Sequence, residues 1–170
     1  MALSAIIADI TTLDVDAIVN AANNALSPGG GVCGAIHRAA GPELSDACAE
    51  VAPCPTGEVR ITPGFELAAR WVLHAAGPVW RGGTHGEERQ LASCYRAAIA
   101  KADAEELESV AFPAISTGIY GFPLERAARI ALREIAASLA ATKHVRRVIC
   151  TCFDADTLAT YESVRRELEL

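Results

Sequence analysis

The chain has 170 residues, 21 acidic against 15 basic, for a net charge of −6, and 51% of it is hydrophobic. That acidity argues against extended nucleic acid as a partner, because such binding rests on many basic side chains neutralising phosphates. The length fits one domain, 1–170, with enough apolar mass to cover both faces of a sheet and no room for a second domain.

The N-terminal "MALSAIIADI" has no basic region before a long apolar core, so it reads as a first strand over 4–8 and not as a signal peptide. No apolar run approaches the roughly 20 residues needed to cross a bilayer, and a soluble, cytoplasmic, monomeric protein is expected. Further strands are expected over 17–21, 58–62, 71–75, 110–113 and 145–153. Helical periodicity places helices over 32–40, 42–51, 87–107, 124–142 and 156–168, several opening on acidic residues that suit a helix N-terminus. The alternation predicts a three-layer α/β/α domain with a central mixed sheet and ligands at the carboxyl ends of its strands.

Six cysteines in a core-rich chain without small-scaffold spacing read as free thiols. Cys150 and Cys152 share one face of a strand and Thr151 takes the other, so packing is the expected role. No metal is expected, because neither C-x-x-C nor paired histidines occurs. His37 and His74 fall in helix and strand cores as hydrogen-bonded structural residues, whereas His85 and His144 belong to the surface.

Two loops carry the chemistry. In "VNAANNALSPGGGVCGAIHRAAG" a strand through Asn20 ends at Ala21, a loop from Asn23 to Gly31 carries Gly29, Gly30 and Gly31, and a helix then opens at Val32 and Cys33. In "VAFPAISTGIYGFP" an apolar strand runs into Ser116, Thr117, Gly118, Ile119, Tyr120 and Gly121 before the next helix. Bare backbone at a strand end lets unpaired N–H groups approach an anion, and two such loops can clamp two adjacent phosphates. Neither loop matches G-x-x-x-x-G-K-[ST], and "GGGVCG" lacks the acidic residue a dinucleotide fingerprint places about 20 residues on. A nucleoside triphosphatase and a Rossmann dehydrogenase are therefore disfavoured. Arg81, in "VWRGG", is either a phosphate contact or a solvated loop residue.

The phrases "ADIT", "VDAIVNAAN", "GGGV" and "GAIHRAAG" around Cys33, "HAAGPVWRGG", "FPAISTGIYGFP" and "CFDADTLATYE" resemble the macrodomain family, specifically its MacroD-type branch, from Ala8 to about Glu162. The resemblance implies an ADP-ribose-binding fold. It also implies hydrolysis of ADP-ribosyl esters, the substrates being mono-ADP-ribosylated acidic side chains of proteins and O-acetyl-ADP-ribose, with no cofactor. It implies that Asp9 accepts from the adenine amino group with Ile10 beside the ring, and that Phe153 and Asp154 lie near the adenine. Gly29, Gly30, Gly31, Val32 and the segment Ser116, Thr117, Gly118, Ile119, Tyr120, Gly121 would border the diphosphate and distal ribose, with Tyr120 packed on that ribose. Asn23 resembles the asparagine that positions the distal ribose, and Asn20 would support the strand end through backbone hydrogen bonds.

Most MacroD-type relatives carry G-G-V-D-G in the first loop, with an aspartate that activates or orients water; here that position is Cys33. A thiol with an ordinary pKa near ~8.5 is a poor proton acceptor at neutral pH. Three accounts follow, in order. Hydrolysis continues with Asn23 holding the ribose and the substrate's own diphosphate orienting water, as viral relatives with alanine at this position suggest. Alternatively the protein is a non-catalytic reader of ADP-ribose. In the third account Cys33 is itself reactive, with a helix N-terminus lowering its pKa and His37 one turn away.

Overall fold

The computed structural model describes residues 2–170. Six strands, β1 (Ala2–Ile7), β2 (Ala17–Ala22), β3 (Val59–Pro63), β4 (Trp71–Ala76), β5 (Ser109–Phe112) and β6 (Arg147–Cys152), form one sheet in the order β1-β6-β5-β2-β4-β3. Every pairing is parallel except β3 against β4. The helices are α1 (Gly31–Ala40), α2 (Glu43–Val51), α3 (Glu87–Ala104), α4 (Leu124–Leu139) and α5 (Ala155–Glu167). None is long and apolar enough to cross a membrane.

Alternation along the strands builds two cores. Val19 and Leu73 pack with Leu91, Tyr95, Leu132 and Tyr161 of α3, α4 and α5. Ile18 and Val72 pack on the other side with Ile36, Leu44 and Cys48 of α1 and α2. The period of 2 places neighbouring residues in opposite layers, and this gives the expected α/β/α arrangement. Cys150 and Cys152 both enter the first core while Ile149 enters the second, and all six cysteines are free thiols.

The ends of two helices differ from the sequence expectation. α3 stops at Ala104 because Glu106 adopts φ 59° while the Glu106 and Leu107 N–H groups bond back to the Asp103 and Ala102 carbonyls, closing a Schellman cap. α4 stops at Leu139, and Asp103 then binds the backbone N–H groups of Lys143, His144 and Val145, holding that segment as a loop until β6 begins. The short 3₁₀ turn Ile10–Thr12 has no periodic signature and was not legible in the sequence.

Glu87, the first residue of α3, is 1% exposed and accepts from the N–H groups of Arg81, Gly83 and His85. Burial acts to raise its carboxyl, but the backbone N–H bonds outweigh it and hold the group at about 2 against an ordinary 4.5. A depressed folded-state value means the carboxylate stabilises the fold fully above pH 4.5, and that contribution is lost as the pH falls toward 2. Glu87→Gln is therefore expected to lower the urea midpoint at pH 7. The gap from the parent should narrow between pH 4.5 and 2, as tryptophan fluorescence would record.

Candidate active site

The parallel order reverses between β5 and β2. From there β5 leads through α4 outward to β6, while β2 neighbours β4 on the other side. The β2–β5 ladder holds only at Ala17↔Val110 and Ile18↔Ala111, whereas β2–β4 continues to Ala22↔Ala76. The two strands thus part before their carboxyl ends, and a cleft of about 940 Å³ opens there. This is the crevice where open α/β sheets hold ligands. It runs from Ile7 at the end of β1, with Ala8 and Asp9 beyond it, to Ala22 at the end of β2 and Asn23 beyond it. Those ends are three strand spacings apart, about 14 Å, so the cleft suits an elongated ligand.

The first wall is the Gly-rich loop and the start of α1. Gly31 has φ +57°, a conformation that favours glycine, and the first turn of α1 leaves N–H groups without helical partners. A Cβ at Gly34 would sit 2.5 Å from the Gly29 carbonyl oxygen, so only glycine there lets the loop lie against the helix. A Cβ at Gly29 would meet Asn23 Nδ2 at 3.8 Å and Cys33 Sγ at 3.9 Å, which locates both beside the same loop residue. The Asn23 amide closes the turn that follows β2: its Nδ2 donates to the Ser27 carbonyl at 3.0 Å and its Oδ1 accepts from the Ser27 N–H at 3.1 Å.

The second wall is the loop after β5, which its own backbone ties into a ring. Phe122 N–H donates to the Ser116 carbonyl, Gly121 N–H to Gly118, and Trp80 N–H to Tyr120. Ser116 sits at φ 67° with a buried Oγ that has no protein partner, and it lines the cleft. A non-glycine residue in that region is a strained position of the kind that clusters at ligand sites. Behind the ring, buried Tyr95 accepts from the Ile115 N–H at 3.3 Å and donates to the Pro113 carbonyl. At the cleft's edges Ile119 is 90% and Phe153 93% exposed, apolar surface available to a flat ligand.

Beneath Cys33 lies a buried polar cluster on the α1/α2 side of the sheet. Asn20 and His74 are register partners on β2 and β4. Asn20 Nδ2 donates to His74 Nδ1 at 3.0 Å and approaches Cys33 Sγ at 3.7 Å, while His74 Nε2 bonds Thr62 Oγ1 at 2.8 Å. Burial, and then neighbouring His37, push His74 down to about 4, so the ring is neutral at physiological pH.

A family model described as Macro domain matches residues 19–131. The chain belongs to the macro domain family. A macro domain-containing protein of Chlorobaculum tepidum is 53% identical over 94% of this chain and 93% of its own length. An O-acetyl-ADP-ribose deacetylase of Klebsiella pneumoniae is 51% identical over 92% of this chain and 91% of its own. Among solved structures, the Oceanobacillus iheyensis macrodomain with ADP superposes at a TM-score of 0.93, with 42% identity, covering 97% of this chain and 90% of that one.

In this macro domain the cleft gathers Asp9, Ile10, Asn23, Gly29, Gly30, Gly31, Val32 and Cys33 from the first half of the chain. From the second half come Ser116, Thr117, Gly118, Ile119, Tyr120 and Phe153. Two expected ligand residues stand outside that lining. Gly121, at φ 71°, closes the turn on Gly118, and Asp154 caps α5 by accepting from the Thr157 N–H at 2.8 Å. Asp9 lines the cleft and also caps the 3₁₀ turn, with Oδ1 accepting from Thr11 N–H and Oγ1.

Asn20 differs from expectation, because its amide reaches across to His74 and not to backbone. His37 differs too: its Nε2 is buried with no hydrogen-bond partner. Cys33 is 5% exposed, and its thiol lies 3.8 Å from the Ser27 carbonyl, with no hydrogen bond to His37 among the described residues. Arg81 is exposed and stands outside the lining; it contributes its backbone N–H to Glu87. Sequence reasoning missed Arg38, which lines the cleft, although the G-x-x-x-R spacing from Gly34 was present as a signal.

Proposed function

We propose that this macro domain binds ADP-ribose and hydrolyses ADP-ribosyl esters, namely O-acetyl-ADP-ribose and mono-ADP-ribosylated acidic side chains of proteins. The observation that carries the reading is the meeting of Asn23 and Cys33 beside Gly29, at one end of a cleft walled by two backbone-rich loops. The name of the Klebsiella relative and the ADP in the Oceanobacillus structure support it. In this reading Asp9 and Ile10 take the adenine with Phe153 beside it, and the diphosphate lies between Gly29–Val32 and Ser116–Tyr120. The distal ribose then reaches Asn23. Asp154 and Gly121 act from behind, as cap and turn.

Asp9 is the one acidic side chain lining the cleft among the described residues, and it belongs to the far end. No protein carboxylate therefore stands by the ribose to accept a proton. In this proposal the substrate's diphosphate, which the two loops fold toward the ribose, orients the attacking water, with Asn23 holding the sugar. Cys33 fills space. Its near-complete burial and its contacts with Ser27 and Asn20 support that role over a nucleophile. The absence of a lining carboxylate at this end also favours a second reading, a reader that binds ADP-ribose without turnover.

Purified protein assayed on O-acetyl-ADP-ribose, alongside calorimetric titration with ADP-ribose, separates the two. In the hydrolase reading Cys33→Ala leaves the rate within about twofold. Cys33→Asp raises it by roughly 100-fold, the low end of general-base effects, since Asn20 Nδ2 stands ready to bond the new carboxylate. Saturable ADP-ribose binding with no turnover in the parent and a rate only in Cys33→Asp would establish the reader. Loss of turnover in both variants would make Cys33 the nucleophile.

A further inference from the structure

At the end of the cleft where Asn23 and Cys33 meet, the structure places a cation that the reading above leaves unused. Arg38 lines the cleft, is exposed, and enters none of the ion pairs or hydrogen bonds among the described residues. It stands in the last turn of α1, yet its guanidinium lies back along the helix. Nη1 comes 3.1 Å from where a Cβ at Gly34 would be, and that same position is 2.5 Å from the Gly29 carbonyl oxygen. Helical side chains lean toward the N-terminus, and residue i+4 covers residue i. Glycine at 34 removes the one side chain that would block this path. The guanidinium is thus brought to the loop residue that Asn23 and Cys33 also flank.

Some arginines of this surface are held by a carboxylate, as Arg96 is by Glu134 and Arg129 by Glu167, whereas Arg38 is held by none among the described residues and is the arginine that lines the cleft. The Arg38 guanidinium reaches back to Gly34, in the first turn of α1, where the positive end of the helix dipole lies. This corner of the cleft is therefore electropositive, planar in its donor geometry and without a protein anion. That chemistry fits a carboxylate held by two parallel N–H bonds.

We infer that Arg38 receives the carboxylate that leaves the distal ribose. The inference rests on the ester-hydrolase reading and deepens it. Hydrolysis of an ADP-ribosyl ester adds the oxygen of water to carbon and breaks one C–O bond of the ester. The products are a ribose hydroxyl and a carboxylate, with one proton released at neutral pH. Whichever of the two C–O bonds breaks, negative charge grows on the acyl oxygens during the step, and a fixed guanidinium stabilises it more in the transition state than in the neutral ester. Arg38 then acts on the acyl group and not on ADP-ribose, so it selects esters whose leaving group is an anion.

The test has two arms. With O-acetyl-ADP-ribose, Arg38→Ala is expected to lower kcat by about 100-fold, as loss of a single oxyanion donor does, while the Kd for ADP-ribose stays within about threefold. Arg38→Lys should recover part of the rate. In the second arm, acetate is titrated into ADP-ribose-loaded protein and followed by NMR. Saturable binding to the parent, lost in Arg38→Ala and partly restored in Arg38→Lys, is the expected result and does not require turnover. No acetate site in the loaded parent, or equal acetate binding in parent and Arg38→Ala, overturns the inference. Failure of ADP-ribose to bind the parent, or a parent without ester turnover, counts against the proposed function and is read separately.

Discussion

Asn23→Ala is expected to reduce ester turnover by about 100-fold while changing ADP-ribose affinity by less than about fivefold. An interaction that strengthens as the transition state forms costs rate more than ground-state binding when it is removed. The prediction is strict because Asn23 also has a structural job. Its amide makes both bonds to Ser27 that close the turn after β2. If that turn were its whole role, the Gly29–Gly31 wall would loosen, and binding and rate would fall together. Asn23→Asp separates the effects, since an Oδ1 acceptor for the Ser27 N–H is retained while the Nδ2 donor is lost. Rapid-mixing kinetics on O-acetyl-ADP-ribose and calorimetry with ADP-ribose would decide. Equal losses in both measurements would assign Asn23 to the turn alone.

The largest stability effect is expected at Tyr95, which lies in α3 and touches the cleft only through backbone. It is fully buried, packs on Phe112 with ring centroids 5.1 Å apart, and bonds Pro113 and Ile115 at the root of the second loop. Tyr95→Ala opens a cavity in the larger core and is expected to cost about 3–5 kcal/mol, lowering the thermal midpoint by on the order of 10 °C. Tyr95→Phe keeps the ring and removes only the hydroxyl. The Ile115 N–H is then left without its acceptor in a fully buried position, at a cost of about 1–2 kcal/mol. Because that bond anchors the loop that carries Ser116 and Tyr120, a several-fold weaker ADP-ribose Kd should accompany it. Tyr95→Phe that melts like the parent would show that the hydroxyl carries no load.

The α/β alternation, the two glycine-bearing loops at strand ends and the family were legible from local patterns. Period-2 and period-3.6 runs are dictated by which side chains must be buried, and two glycine-bearing loops that each run from a strand into a helix are visible in the sequence itself. The resemblance to the macrodomain family then led to Asn23 and to the departure at Cys33, since both stand inside a continuous motif. The helix ends were misplaced because a Schellman cap with Glu106 in place of glycine, and a carboxylate reaching from Asp103 to residues 143–145, depend on partners that no window of sequence contains.

What only the tertiary structure decided is pairing across the sheet and around the cleft. The bond from Asn20 to His74 depends on β2–β4 register, and the solitary His37 Nε2 on how α1 lies against that layer. Asp154 and Gly121 sat within motif phrases yet serve as cap and turn, because helix α5 and the 118–121 turn leave those groups their nearest donors and acceptors. Arg38 shows the same limit. Sequence placed it on a helix, but its return to the cleft required Gly34 to lie flat against the Gly29 carbonyl, a contact between a loop and a helix face that only the folded chain creates. Local composition dictates which elements form; the distance between two side chains on different elements is set by packing, and chemistry at a site depends on that distance.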